Sequence, residues 1–244
     1  MAKLSAIRLR GGCFFANFAQ MKQELWPRAT WLVAFLLLVA CPGGVAAQSF
    51  LTTRTVTLKQ SAWNASVEFP TSGDEAVVEG VLRWIADVLE IEYRRRADFA
   101  SQLQASCDSF MAERQSFTRS VVVERSYEDG GCVTFEALVT DSGNEKWRWA
   151  DCASFSKRDG HRIRIDEIFN CDTSDICRLM WEYRGDLALD ADGPEDLVPA
   201  NAGFVDGWVV VIGPALNYTG APFRLRYEDI LPYLRTSENG YFTW

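Results

Sequence analysis

The sequence predicts an α+β fold: a mostly antiparallel sheet of about five or six strands with two helices packed on one face. Two helical stripes in the first half are followed by a long region of period-two alternation broken by Asp-Gly and Asn-containing turns. The closing stretch, Ala202 to Leu234, then pairs a continuous apolar run, Trp208 to Ile212, with a strictly alternating one, Phe223 to Tyr227. A continuous run suits a central strand covered on both faces, and an alternating one suits a strand nearer an edge.

The chain begins with a leader. Lys22 and Arg28 precede a short apolar core, Trp31 to Ala40, and small residues run to Ala47. This is the layout of a secretory signal, too short in its core for a permanent membrane span. Met21 opens a well-proportioned signal, whereas the residues before it fit no part of one, so translation is expected to start at Met21. Two processing routes stay open. Val45-Ala46-Ala47 suits cleavage before Gln48; Leu38-Val39-Ala40-Cys41 resembles a lipobox, in which Cys41 would carry lipid and anchor the chain to a membrane. Residues 1–47 are thus a leader and 48–244 a single domain in the periplasm or cell envelope.

The leader holds five of the 25 basic residues and one of the 33 acidic ones, which leaves residues 48–244 at a net charge of −12. Such a surface repels nucleic acid and anionic lipid and would attract a cationic protein.

Phe50 to Leu58 reads as a first strand and Val67-Glu68-Phe69 as a short second one closed by Pro70. Ser72-Gly73-Asp74-Glu75 reads as a capping box. The helix it opens, over 74–92, carries Val77, Val78, Val81, Leu82, Ile85, Val88 and Leu89 on one face. A second helix over 98–114 turns Phe99, Leu103, Cys107, Phe110 and Met111 inward, making Cys107 a buried thiol. The meander then runs through Val121–Val123, Cys132–Leu138, Lys146–Trp149, Ser154–Ser156 and Arg162–Ile165, with a helical turn at Asp166–Phe169. Thr173 or Ser174 caps a third helix holding Ile176, Leu179, Met180 and Tyr183.

Five cysteines follow the leader. In an oxidising compartment two disulfides and one free thiol are expected. Cys171 and Cys177 flank the start of the third helix. If Asp141-Ser142-Gly143 is a three-residue hairpin loop, Thr140 faces Asn144, and counting back in step puts Cys132 opposite Cys152.

Catalytic, cofactor and metal residues are not indicated. A Ser-His-Asp or Cys-His set would have to use His161, the only histidine, which opens a strand beside a turn glycine. Asp190-Ala191-Asp192-Gly193 begins like a calcium loop but lacks the later ligands. Asn64-Ala65-Ser66 and Asn217-Tyr218-Thr219 match the glycosylation sequon.

Two segments carry a family resemblance: SFSKRDGHRIRIDEIF, with its Asp159-Gly160 turn, and AGFVDGWVVVIGPALNYTGAPFRLRYEDILPYL. Together they resemble the RsiV C-terminal-like family, domain of unknown function 3298, over Val121 to Leu234. The chain departs from the family pattern at Asp141-Ser142-Gly143-Asn144 and in a shortened loop after Ile212. The resemblance implies an exported bacterial protein, of a kind common in Bacteroidota, whose domain recognises a protein such as a lysozyme, or cell-wall material, without established catalytic residues. Two other readings stand beside it: a carboxylate-dependent cell-wall glycan hydrolase, and a structural envelope lipoprotein held at Cys41.

Overall fold

The first five strands, β1 (Thr52–Lys59), β2 (Trp63–Ser72), β3 (Thr118–Glu128), β4 (Cys132–Ser142) and β5 (Lys146–Ser156), lie side by side in chain order in one sheet. The computed structural model describes residues 50–95, 97–113, 118–143, 146–187, 191–213 and 221–235. Residues 1–49, with Met21 and Cys41, and also Asp190 and the sequon at Asn217 lie outside the described residues. Residues Gln48–Trp244 form one compact unit.

All pairings in this sheet are antiparallel except β2 with β3, which run parallel. Helices α1 (Glu75–Val88) and α2 (Phe99–Glu113) fill that crossover, which a parallel pair requires. Both helices pack on one face of the sheet. Val77, Val81, Trp84, Ile85 and Val88 of α1, with Phe99, Leu103 and Cys107 of α2, meet Val121, Val123, Val133, Phe135, Val139 and Phe155 in one apolar core. Trp63 stacks edge-on against Phe110 at 5.2 Å, and Phe69 against Phe99 at 5.2 Å.

The cap of α1 is Asp74, which accepts from the amides of Ala76 (2.9 Å) and Val77 (3.3 Å). Ser72 does not cap it, because it is still in β2, paired with Thr52. Strand β2 also runs through Pro70 instead of ending there. Its pairing with β3 stops at Val67, so the missing amide of Pro70 takes no bond from that ladder.

A second sheet, in the order β6 (Asn201–Val205), β7 (Trp208–Ile212) and β8 (Phe223–Arg226), covers part of the opposite face. The single sheet expected from the sequence is therefore joined by another. The seam between them is small and polar: Thr134 Oγ1 lies 2.6 Å from Ser154 Oγ, which accepts from the Phe204 amide at 2.9 Å. A Cβ on Gly203 would come within 3.1 Å of Ser154 Oγ and Thr134 Cγ2 and 3.3 Å of Cys152 Sγ, so glycine sets the spacing. Beyond this sheet, helix α4 (Thr173–Glu182) buries Ile176, Leu179 and Met180 against Phe204, Val209, Val211, Phe223 and Leu225. The layers run helices, sheet, sheet, helix. Strand β7 is covered on both faces and β8 alternates at an edge, as their sequences imply. The short helices α3 (Ile165–Ile168) and α5 (Tyr227–Ile230) complete the described elements with two 3-10 turns.

Four further details differ from the sequence reading. Lys146–Ser156 is one continuous strand. Arg162–Ile165 is no strand: only a single bridge joins Arg162 to Phe155. Asp172, not Thr173 or Ser174, caps α4, accepting the Asp175 amide at 2.9 Å.

The last correction concerns the cysteines. The β4–β5 register pairs Ser142 with Lys146, so the loop lies further along than Asp141-Ser142-Gly143. Cys132 therefore faces Ser156 and Cys152 faces Glu136, and the expected Cys132–Cys152 bridge has no cross-strand partner geometry. Cys107, Cys132, Cys152, Cys171 and Cys177 are all free thiols.

Candidate binding cleft

The second sheet covers only part of the face it packs on. In register from the uncovered part to the rim of the second sheet stand Val122, Leu138 and Ala150, one from each of β3, β4 and β5. Val122 is exposed, Leu138 is half-buried, and Ala150 is half-buried against the cluster of Val210 and Ile212. Alternation dictates this. Val121 and Val123 point into the core, as do Ala137 and Val139, so Val122 and Leu138 must face the other way. Val122 is 40% exposed, unusual for a valine within a sheet. Ala221 and Pro222, just before β8, rise opposite this row, and together they line a cleft of ≈ 250 Å³ with Ala137, Glu124, Glu136, Arg148, Asp151 and Arg224.

Charge is arranged unevenly around the apolar row. Glu124 and Glu136 are direct cross-strand partners. Like charges so placed cost on the order of 0.2–1 kcal/mol. Arg224, from β8, donates to Glu136 at 2.9 Å and offsets part of that cost. Glu124 is exposed and has no hydrogen bond or ion pair among the described residues. Arg148, likewise exposed and unpaired there, stands in the next row beyond Ala150, opposite Thr140. Asp151 is already committed: it accepts from Trp84 Nε1 at 2.9 Å and Asn201 Nδ2 at 2.8 Å, tying α1 and β6 to β5.

A larger concavity of ≈ 500 Å³ lies between the segment after α1 and the flank of α2. Its polar groups serve the fold. Gln102 bonds to the backbone of Arg94 and Ala97, and Asp98 accepts from the amide and hydroxyl of Ser101. Of the two, the smaller cleft leaves charged groups, Glu124 and Arg148, without a partner among the described residues.

Other charged groups are likewise engaged within the fold. Arg119 is clamped bidentately by Asp141 at 2.8 Å and reaches Glu90 at 3.2 Å. Glu128 is half-buried, and its side chain, 6% exposed, accepts from the Leu51 amide and Arg125 and pairs with Lys157. His161 places Nδ1 2.6 Å from Asp159 and Nε2 3.1 Å from Glu167. A carboxylate stands at each ring nitrogen, and these contacts hold the Asp159-Gly160 turn to α3. The hydrogen bond from His161 holds the Asp159 carboxyl below its usual range, against a smaller opposing effect of burial.

No group of three or more histidine, cysteine or acidic side chains among the described residues is placed to hold a metal ion. No helix among them is long and apolar enough to cross a membrane. The sequon residue Asn64 is exposed on β2.

None of Val122, Glu124, Glu136, Leu138, Arg148 or Arg224 stood out in the sequence as a site residue. A signal was present: Val121-Val122-Val123 and Ala137-Leu138-Val139 are unbroken apolar triplets in strands with one buried face, so each must turn an apolar side chain outward.

No family profile and no curated sequence matches the chain. Solved structures do. A DUF3298 family member from Bacteroides fragilis aligns with a TM-score of 0.59 at 11% identity, covering 78% of this chain and 95% of its own. A DUF3298 family protein from Pseudomonas aeruginosa aligns with a TM-score of 0.52 at 11% identity, over 78% of this chain and 96% of its own. At that identity the likeness establishes a shared fold.

Proposed function

We propose that the chain is a divergent relative of the RsiV C-terminal-like family and serves as a non-catalytic binding module of the bacterial envelope, recognising a protein or cell-wall ligand. The observation that carries this reading is the cleft over Val122, Leu138 and Ala150, where an apolar floor adjoins a carboxylate with no partner among the described residues. A fold-level likeness to proteins of unknown function and the leader-like first 47 residues support the setting. The net charge of −12 over residues 48–244 favours a cationic partner such as a lysozyme.

The glycan-hydrolase alternative asks for two carboxylates facing one another across an aromatic-lined cleft. Here Glu124 and Glu136 stand side by side on one sheet, Glu136 is paired with Arg224, and no aromatic side chain is in the described lining. The lipoprotein alternative turns on Cys41, and mass spectrometry of the mature N-terminus separates a lipidated Cys41 from a free Gln48.

The test of recognition is direct binding of the Gln48–Trp244 unit to hen lysozyme, to purified sacculi and to cytochrome c as a cationic control, each at low and moderate salt. Retention of lysozyme or sacculi at moderate salt, with cytochrome c lost, is the expected result. Equal retention of both cationic proteins at low salt alone would leave only charge and sink the reading.

A further inference from the structure

We infer that the cleft between β3, β4, β5 and the start of β8 is a seat for one arginine or lysine side chain presented by a protein partner. This rests on the recognition reading and names the chemistry by which it works.

Size points to a single side chain. The cleft, at ≈ 250 Å³, is smaller than the usual pocket for a cofactor or drug-sized ligand. Its floor suits an aliphatic stem. Val122, Leu138 and Ala150 form a straight apolar row three strands wide, and a long basic side chain lays its methylenes on such a surface while its head stays polar. The head has a partner in the adjoining row. Glu124 and Glu136 repel each other; Arg224 bonds Glu136, while the other cation of the lining, Arg148, stands two rows away on the far side of the apolar row, opposite Thr140. A second cation beside Glu124 would complete the neutralisation and make a charge-assisted hydrogen bond.

The geometry disfavours other occupants. A metal ion would need more oxygen ligands than Glu124 and Glu136 offer, and no such cluster exists among the described residues. A small polycation would match the charge but would use none of the surrounding sheet. Next to the cleft, Ser66, Ser120 and Thr140 face the same way in neighbouring positions of β2, β3 and β4, a polar surface on which flanking polypeptide can rest.

The test uses nuclear magnetic resonance on the isotopically labelled Gln48–Trp244 unit with three probes: capped Gly-Leu-Arg-Leu-Gly, the same peptide with citrulline for arginine, and spermidine. The arginine peptide is expected to shift the amide signals of Val122, Leu138 and Ala150 saturably. Citrulline keeps the shape without the charge and should bind about tenfold or more weakly. Glu124→Gln should weaken the arginine peptide to a similar extent while raising the thermal midpoint of the free protein, because it removes the repulsion with Glu136. Val122→Thr, which keeps the branched strand residue, should weaken both peptides alike. Equal binding of the citrulline peptide, spermidine binding as tightly as the peptide, shifts confined elsewhere, or a lowered midpoint for Glu124→Gln would each overturn the assignment. The two proposals fail separately. Lysozyme retention unaffected by Glu124→Gln would dismiss this seat and keep recognition; a seated arginine peptide without any retained lysozyme or sacculi would do the reverse.

Discussion

Gly160 holds the tightest backbone contact among the described glycines. It sits at φ +75°, and a Cβ there would lie 2.3 Å from the Ala76 carbonyl carbon and 2.6 Å from the Val77 nitrogen. The turn after β5 is thus pressed against the first turn of α1, and no side chain fits between them. Gly207 shares the left-handed conformation at φ +72° but has nothing within 4 Å of the same position. The pair separates two costs. Gly207→Ala should lose about 1 kcal/mol from backbone strain alone, whereas Gly160→Ala should lose roughly 3 kcal/mol or more, since main-chain atoms must move as well. Urea unfolding of both variants checks this, and equal losses would show that the close approach is not rigid. The Asp159-Gly160 pair was visible in the sequence as a turn; that its glycine docks a helix 80 residues earlier was not, because the requirement comes from a distant backbone. Burial pushes the pKa of each cysteine thiol up, most strongly at Cys152 and Cys132, so each is a weaker acid than a free thiol. In the native protein at mildly alkaline pH, iodoacetamide should therefore modify Cys171 first, the only one of the five that is not buried, and reach Cys107, Cys132 and Cys152 only on unfolding. Peptide mapping without reductant should find no Cys132–Cys152 link; finding one would require the β4–β5 register to be wrong.

At the scale of elements, α1 and the segment that follows it are joined by a small charged clasp. Glu79 accepts from the Tyr93 hydroxyl at 2.8 Å and from Arg83 at 3.0 and 2.9 Å, and lies 3.4 Å from Arg95. Burial alone would raise its carboxyl, but these donors and cations outweigh it and hold Glu79 below the usual carboxylate range. Burial and the Glu79 carboxylate push the Tyr93 hydroxyl up to about 12. A carboxyl depressed in the folded state contributes stability above its unfolded value, near 4.3, and loses it as the pH falls through the folded value. Glu79→Gln should accordingly be less stable than the parent near neutrality, with the gap closing below about pH 4. Thermal midpoints by circular dichroism across that range test the sign; a gap that widened in acid would refute it. Elements of this kind were the most legible part of the sequence. The stripe from Val77 to Val88 gave the helix and its buried face, and the run from Trp208 to Ile212 gave a strand covered on both sides. The caps were less legible, because Ser72, Thr173 and Ser174 all have the right chemistry and only the strand or loop geometry before each helix decides that Asp74 and Asp172 serve instead.

At the scale of the whole molecule, the second sheet was hidden because its seam is built from residues that do not read as a core. Thr134, Ser154, Ser156 and Gly203 are small or polar, and they are buried only because the two sheets meet there with hydrogen bonds satisfied. The same layering leaves Val122 exposed and Leu138 and Ala150 only half-covered, so the candidate cleft follows from how far the second sheet extends. Overall charge acts on a different step of binding from that cleft. A net −12 over residues 48–244 accelerates the approach of a cationic protein from a distance and is screened by salt, whereas contacts inside a cleft act after arrival and govern dissociation. Glu228 and Asp229 are exposed on α5 and outside the cleft lining. Neutralising them together, as Glu228→Gln with Asp229→Asn, should slow association with lysozyme and flatten its salt dependence while leaving dissociation unchanged. Glu124→Gln should instead speed dissociation by about tenfold, the loss expected for one charged hydrogen bond. Surface-binding kinetics over a salt series resolves the two effects. If Glu124→Gln altered only the association rate, as the remote pair does, Glu124 would be one more contributor to the field and the cleft would hold no partner side chain.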